Sequence, residues 1–206
     1  MTFIIVAGPL TYYQEIINCY DKYPNVIIST LDNDSIKLDA LRAHFPVIST
    51  PLNFNPGTGN LNCQTRTTVE GLLKAKEMGA THALKIRSDM IVSDISKFME
   101  MLNKKTRLSF LAWHYHGYLV DYLNYGPIDD MVKFWNVFAI NGNFAEKNLM
   151  DHFSKVKQEP LNNYKDVKRH VDFFMKDLID MEIRIHWLKY DLDVSEYYKH
   201  ECYWYK

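Results

Sequence analysis

Glycine is scarce in this chain, 8 in 206 residues. After the first β-branched run, Phe3 to Val6, where a nucleotide-binding α/β fold would place a glycine-rich turn, only Gly8-Pro9 stands. Without that loop the backbone cradle of P-loop and dinucleotide folds cannot form, which argues against dinucleotide redox chemistry, methyl transfer and nucleotidyl transfer. Cysteine is scarcer still. Cys19, Cys63 and Cys202 are far apart, odd in number and form no CxxC pair, so zinc ligation and a disulfide framework are not expected. They read as free thiols in a reducing, cytoplasmic setting. Charge of one sign is also missing. Lys+Arg 24 against Asp+Glu 25 gives a net charge of -1 and no global field for nucleic acid. No apolar run is long enough to span a bilayer, and Met1-Thr2 leads straight into Phe3-Ile4-Ile5-Val6-Ala7 with no basic leader. Internal repeats and low-complexity segments are absent.

What remains is an ordinary globular composition, 47% hydrophobic and 24% charged, in a chain long enough for one domain with a full core. Phe3 to Val6 predicts a first strand, Tyr13, Ile16, Ile17 and Tyr20 a helix, and Val26 to Leu31 a second strand. Asp34 fits a helix cap, which leaves Asp32 as the better ligand candidate at that strand end. A third strand over Pro46 to Ser49 runs into the polar loop Pro51 to Asn60. The helix that follows, about Asn62 to Met78, would bury Val69, Leu72, Leu73 and Met78 and stop at Gly79. Arg66 in its first turns opposes the helix dipole unless an anion is near, or it pairs with Glu70 at i+4.

Thr81 to Ile86 read as the buried central strand, and Arg87, Ser88 and Asp89 put charge at its carboxyl end. A carboxylate there can hold a divalent cation and through it a phosphate. Alternatively Asp89 belongs only to the start of the next helix, for which Ser93 and Asp94 are caps. Further strands are expected over Arg107 to His114, with His114 and His116 on one face, and over Tyr118 to Leu123, with Asp121 inside. Asn124 to Pro127 read as a turn. A helix with Ile128, Met131, Val132, Trp135 and Phe138 as its stripe follows, carrying Asp129 and Asp130 in its first turn, where the dipole keeps carboxylates ionised. Asn141-Gly142-Asn143 then turn into another helix, Val167 to Leu178 suggest a last long helix, and Ile183, Ile185 and Trp187 a last strand. The tail from Asp191, with His200, shows no clear period.

Three motifs in order carry a family likeness. Asn62-x-Gln64-x-Arg66 opens a helix, Lys85-Ile86-Arg87-Ser88-Asp89-Met90 ends the next strand, and Asp121-Tyr122-x-x-Tyr125-Gly126 precedes an acidic helix start. Together they resemble the WavE-type lipopolysaccharide-synthesis glycosyltransferases, and the order of elements resembles the GT-A glycosyltransferase fold. In compact size the chain is also similar to capsid-glycan glycosyltransferase domains of large algal viruses. The resemblance implies a single-domain three-layer α/β/α sandwich with a mixed, mostly parallel central sheet. Residues 1–92 would form the nucleotide-sugar half and 93–206 the acceptor half.

It further implies a nucleotide-diphosphate sugar donor of UDP or GDP type, a glycan or glycoconjugate acceptor, and Mn²⁺ or Mg²⁺ on Asp89. The donor would meet Gly8, Pro9, Asp32, Asn62, Arg66, Arg87, Ser88 and Asp89. Asp130 or Asp129, with Asp121 in reserve, would take the acceptor proton in a single inverting displacement. Arg87 stands where many relatives place the first acid, which leaves the motif one carboxylate. That departure also keeps open a non-catalytic sugar-nucleotide or glycan-binding module.

Overall fold

The computed structural model describes residues 1–114, 117–139 and 143–201, with side chains to residue 197. The first half alternates strand and helix: β1 (Thr2–Ala7), α1 (Tyr13–Tyr20), β2 (Val26–Thr30), α2 (Ser35–Arg42), β3 (Val47–Ser49), α3 (Leu61–Glu77) and β4 (His82–Arg87). The chain continues through β5 (Met90–Val92), α4 (Ile95–Leu102), β6 (Ser109–Phe110), β7 (Trp113–His114), β8 (Tyr118–Leu119) and β9 (Leu123–Pro127). After these come α5 (Ile128–Trp135), α6 (Ala145–Lys157), α7 (Tyr164–Lys168), β10 (Asp172–Phe173), α8 (Met175–Asp180), β11 (Ile185–Trp187), β12 (Leu192–Asp193) and α9 (Val194–Glu201).

Seven strands form one sheet in the order β10-β6-β9-β4-β1-β2-β3. All neighbours are parallel except β9, which runs antiparallel to both β4 and β6. This is the mixed, mostly parallel sheet of an α/β sandwich, and it draws strands from both halves of the chain. β1 shows why its sequence is apolar without alternation. Ile4 and Val6 enter the core under α1, α2, α4 and α8, while Phe3 and Ile5 enter the core under α3, α5 and α6. A strand covered on both faces has no polar side. A second sheet, β12-β11-β5, is antiparallel and folds the C-terminal segment back beside the end of β4. Among the described residues no helix is long and apolar enough to cross a membrane.

Several local expectations change. Asn124 to Pro127, read as a turn, belong to β9, held between β4 and β6 by register pairs such as Lys85 with Asn124 and Phe110 with Asn124. Pairing on both sides overrides the weak strand propensity of Asn and Gly. Gly126 is needed because a Cβ there would lie 2.9 Å from the Leu108 Cα. The strands expected over 107–114 and 118–123 each break. Of these spans only Ser109–Phe110 and Leu123, the first residue of β9, join the main sheet, while β7 and β8 pair with each other as a separate ribbon. The expected long helix over 167–178 is instead α7, the edge strand β10 and α8. On α3 the buried face is Thr65, Thr68, Leu72 and Ala75, small enough to lie close on the sheet, so Leu73 and Met78 are exposed. Phe138 lies beyond the end of α5 and is exposed as well.

The caps follow the sequence more faithfully. Asp34 accepts from the backbone N–H groups of Ile36 and Lys37, and Asp94 accepts from Lys97 N–H. Gly79, at φ +87°, stops α3. Cys19 and Cys63 are free thiols. Cys202, His116, the Asn141-Gly142 turn and the side chain of His200 lie outside the described residues.

Candidate functional site

The chain leaves β1 on one side to build β2 and β3 and returns to place β4 on the other side of β1. The strand order reverses between β1 and β4, and sheets of this kind place their ligand crevice at such a point, outside the carboxyl ends of the strands. Register sets which residues meet there, because Ala7 pairs with Arg87 and with Ser29. Gly8 follows at φ +139°, and a Cβ on it would come 2.5 Å from the Ser88 Oγ, so only glycine lets the two strand ends close up. Pro9 beside it is exposed. Asp32 lies past the end of β2 on the same edge. One of its carboxylate oxygens accepts from Asp34 N–H at 3.0 Å, and the other is 3.8 Å from Lys37 Nζ.

Arg87 and Asp89 form a two-point ion pair, with Nε to Oδ1 at 2.8 Å and Nη2 to Oδ2 at 2.7 Å. The pairing of Met90 with Trp187 brings β11 alongside. The Trp187 indole then donates to Asp89 Oδ2 at 3.0 Å, and Leu188 N–H donates to the Asp89 carbonyl at 2.8 Å. The guanidinium carbon lies 5.4 Å from the Tyr122 ring centre and 5.2 Å from that of Trp187. Burial alone would raise the Asp89 carboxyl. The hydrogen bonds and charge of Arg87, with the Trp187 bond, outweigh it and hold Asp89 below the ordinary carboxylate value.

That geometry bears on the cation expected at Asp89. Both carboxylate oxygens are engaged, one of them twice, and the neighbour that would be a second acid is a fixed cation. Among the described residues no three His, Cys, Asp or Glu side chains gather as a metal-binding group. The donor set at Asp89 does not fit Mn²⁺ or Mg²⁺, and no step below is routed through a metal.

The second half supplies the rest of the site. The pair Ile86 with Leu123 puts Asp121 and Tyr122 just beyond the carboxyl end of β4. Asp121 is only 2% exposed, and its Oδ1 has no hydrogen-bond partner among the described residues. Its carbonyl accepts from Lys85 Nζ at 2.9 Å. Lys85 is itself fully buried, with Nζ 4.5 Å from the Trp135 ring centre, and burial pulls its ammonium down to about 8, with Asp121 opposing. Glu146, in the first turn of α6, faces the same region. Burial, then the Asp121 charge, raise its carboxyl above the usual range, while its backbone hydrogen bond and Arg87 oppose. α6 reaches this place by packing on β8, where Phe144 meets Tyr118 at 5.8 Å between ring centres.

Other expected residues are not brought here. Pro127 pairs with His82, the first residue of β4, so Asp129 and Asp130 begin α5 at the opposite edge of the sheet from Arg87 and Asp89. Six strand residues intervene, roughly 17–20 Å. Asp129 is exposed and paired to Lys76 Nζ at 2.6 Å, and Asp130 is half-buried. The antiparallel run of β9 carries the chain away from the carboxyl end of β4, so neither carboxylate lies beside Asp89, where the sequence analysis places the proton acceptor. Asn62 is buried with its amide committed to backbone: Nδ2 donates to Ala139 O at 2.7 Å and to Asn55 O at 3.0 Å, and Oδ1 accepts from Ala139 N–H at 2.8 Å. It shares no exposed face with Arg66, which is solvent-exposed and bound to Glu70 at 2.6 Å. Asp191 is 95% exposed and sits 3.2 Å from His186 Nε2.

Lys85, Glu146 and Trp187 were missed as site residues. A lysine inside an otherwise apolar strand was a visible signal for the first. Nothing local marks the other two, which arrive from sequence distances of 57 and 98 residues from Asp89.

No protein-family model and no curated protein sequence matches the chain, so the WavE-type likeness of the motifs has no counterpart at family level. Among solved structures, the chain is similar to a protein of Desulfovibrio desulfuricans described as a nucleotide-diphospho-sugar transferase, at TM-score 0.48 and 10% identity, over 84% of this chain and 80% of that one. It is also similar to HddC of Yersinia pseudotuberculosis, at TM-score 0.37 and 14% identity, over 64% of this chain and 78% of that one. At these scores the likenesses carry no argument about activity.

Proposed function

We propose that this chain is a glycosyltransferase that binds a nucleoside-diphosphate sugar in the crevice at the carboxyl ends of β1 and β4 and passes the sugar to a hydroxyl of a glycan acceptor. The observation that carries the reading is the convergence at that switch point of a fixed guanidinium, Arg87, with a buried carboxylate, Asp121, whose Oδ1 has no partner among the described residues. A diphosphate leaving group needs a cation, and an attacking hydroxyl needs a proton acceptor. The order of the three sequence motifs supports the same class.

In this reaction the acceptor oxygen forms a bond to the anomeric carbon as the bond from that carbon to the diphosphate oxygen breaks. The electron pair leaves with the nucleoside diphosphate. The acceptor proton passes to Asp121, and Glu146 shares the acidic side of the site. Arg87 faces the charge that grows on the departing diphosphate. Gly8 and Ser88 shape the floor under the phosphates, and Asp32 stands at the ribose or base end. One displacement inverts the anomeric configuration.

The test is release of free nucleoside diphosphate from a panel of UDP- and GDP-sugars, with and without simple glycan acceptors. Turnover lost in Asp121→Asn with nucleotide binding intact supports the assignment. Binding without turnover on any donor would favour instead a sugar-nucleotide-binding module, the reading that the single acid of the Arg87-Ser88-Asp89 motif suggests. No binding of any nucleoside diphosphate would overturn both.

A further inference from the structure

We infer that the donor diphosphate is held without a divalent cation, by the guanidinium of Arg87, and that Asp89 is a positioning residue that fixes this guanidinium. The inference rests on the donor site described above. Its first support is the ion pair itself. Nε and Nη2 are both engaged by Asp89, at 2.8 and 2.7 Å, which sets the plane and rotation of the fork. Two-point pairing of this kind adds direction as well as energy. The second support is what holds the pair in place: the Trp187 indole on Asp89 Oδ2, Leu188 N–H on the Asp89 carbonyl, and the rings of Tyr122 and Trp187 beside the guanidinium. Three residues from two other segments, Tyr122 and Trp187-Leu188, hold this pair at the end of one strand.

The third support is what remains unused. The Arg87 Nη1 edge donates to none of the described residues, and the side chain keeps 24% of its surface, whereas Asp89 keeps 14%. The face offered to the crevice is therefore the cation and not the carboxylate. A metal at Asp89 would have to break two charge-assisted hydrogen bonds and would then lie beside a fixed positive charge. A phosphate oxygen at Nη1 breaks nothing and meets the donor geometry that guanidinium offers to phosphate.

Calorimetric titration of the full chain with UDP and with GDP, once in EDTA and once in Mn²⁺, tests this. The expected result is binding of one of them with the same Kd under both conditions, weakened roughly 10-fold or more in Arg87→Gln. Where Arg87→Gln does not fold, as its melting curve would show, Trp187→Phe replaces it. That variant keeps a ring beside Arg87 and removes the hydrogen bond to Asp89, and it should weaken binding in EDTA by about 3-fold or more. Binding that needs Mn²⁺, or binding in EDTA that neither variant weakens, overturns the inference and leaves the donor site standing. Absence of binding under both conditions overturns the donor site as well.

Discussion

Asn62 and Ala139, 77 residues apart, are joined by two hydrogen bonds: the Asn62 amide donates to the Ala139 carbonyl at 2.7 Å and accepts from the Ala139 N–H at 2.8 Å. A third bond, from the same Nδ2 to Asn55 O at 3.0 Å, ties in the polar loop before α3. One buried side chain thus satisfies backbone that sheet and helix leave unpaired in the loop before α3 and beyond the end of α5. Asn62→Ala should lower stability by about 2–4 kcal/mol, since it strands buried backbone polar groups. Urea unfolding measures this, and a loss confined to nucleotide affinity at unchanged stability would show a ligand role in place of the structural one.

Asp121 and Glu146 are separable by kinetics. Asp121→Asn should lower kcat by roughly 10²–10⁴-fold while the Kd of the nucleoside diphosphate stays within about 2-fold. Glu146→Gln should cost less. It removes a carboxyl whose ionisation burial and the Asp121 charge oppose, so the acidic limb of the pH–rate profile should move. A larger loss in Glu146→Gln than in Asp121→Asn would give the proton to Glu146 instead.

Lys85 makes stability depend on alkaline pH. Its folded-state value near 8 lies below the unfolded value of ~10.4, so between the two the unfolded chain binds more protons and stability rises with pH. Wild type should therefore gain roughly 2–3 kcal/mol of stability relative to Lys85→Met as pH rises from 8 to ~10.4. Parallel curves for the two proteins would mean that the ammonium is not confined as its burial implies.

Asp89 acts at the other end of the scale. Its folded-state value is lowered, so its ion pair contributes stability that is present above the unfolded carboxylate value and lost as pH falls through the folded one. Asp89→Asn should remove that acid-side loss while lowering stability at neutral pH. Acid titration of unfolding at fixed temperature reads both effects.

Asp129 provides the control. It is exposed, paired with Lys76 and at the far edge of the sheet, so Asp129→Asn should leave turnover unchanged. A loss of kcat in that variant comparable to Asp121→Asn would return the proton acceptor to α5.

Much of the first half was legible because its signals are local. The capping carboxylates of Asp34 and Asp94, the stop at Gly79 and the unbroken apolar run of β1 each depend on residues within a turn or a strand. The second half misled for the opposite reason. Asn124 to Gly126 have the composition of a turn, and they form a strand only because β4 and β6 offer hydrogen bonds on both sides. The split of 164–180 into α7, β10 and α8 likewise follows from the pairing of Asp172 with Ser109, which lies 63 residues away.

By itself the sequence determined the α/β order, the charge at the end of β4 and the presence of one acid where two were expected. Period and capping are short-range physics, and a single strand can place Arg87 and Asp89 at its own end. The tertiary structure decided how those charges are used. It turned Asp89 toward Arg87 and Trp187, moved Asp129 and Asp130 to the far edge through the antiparallel run of β9, and brought Asp121 and Glu146 to the crevice. The direction of a strand within a sheet is set by long-range pairing, and that direction determines which carboxylates meet.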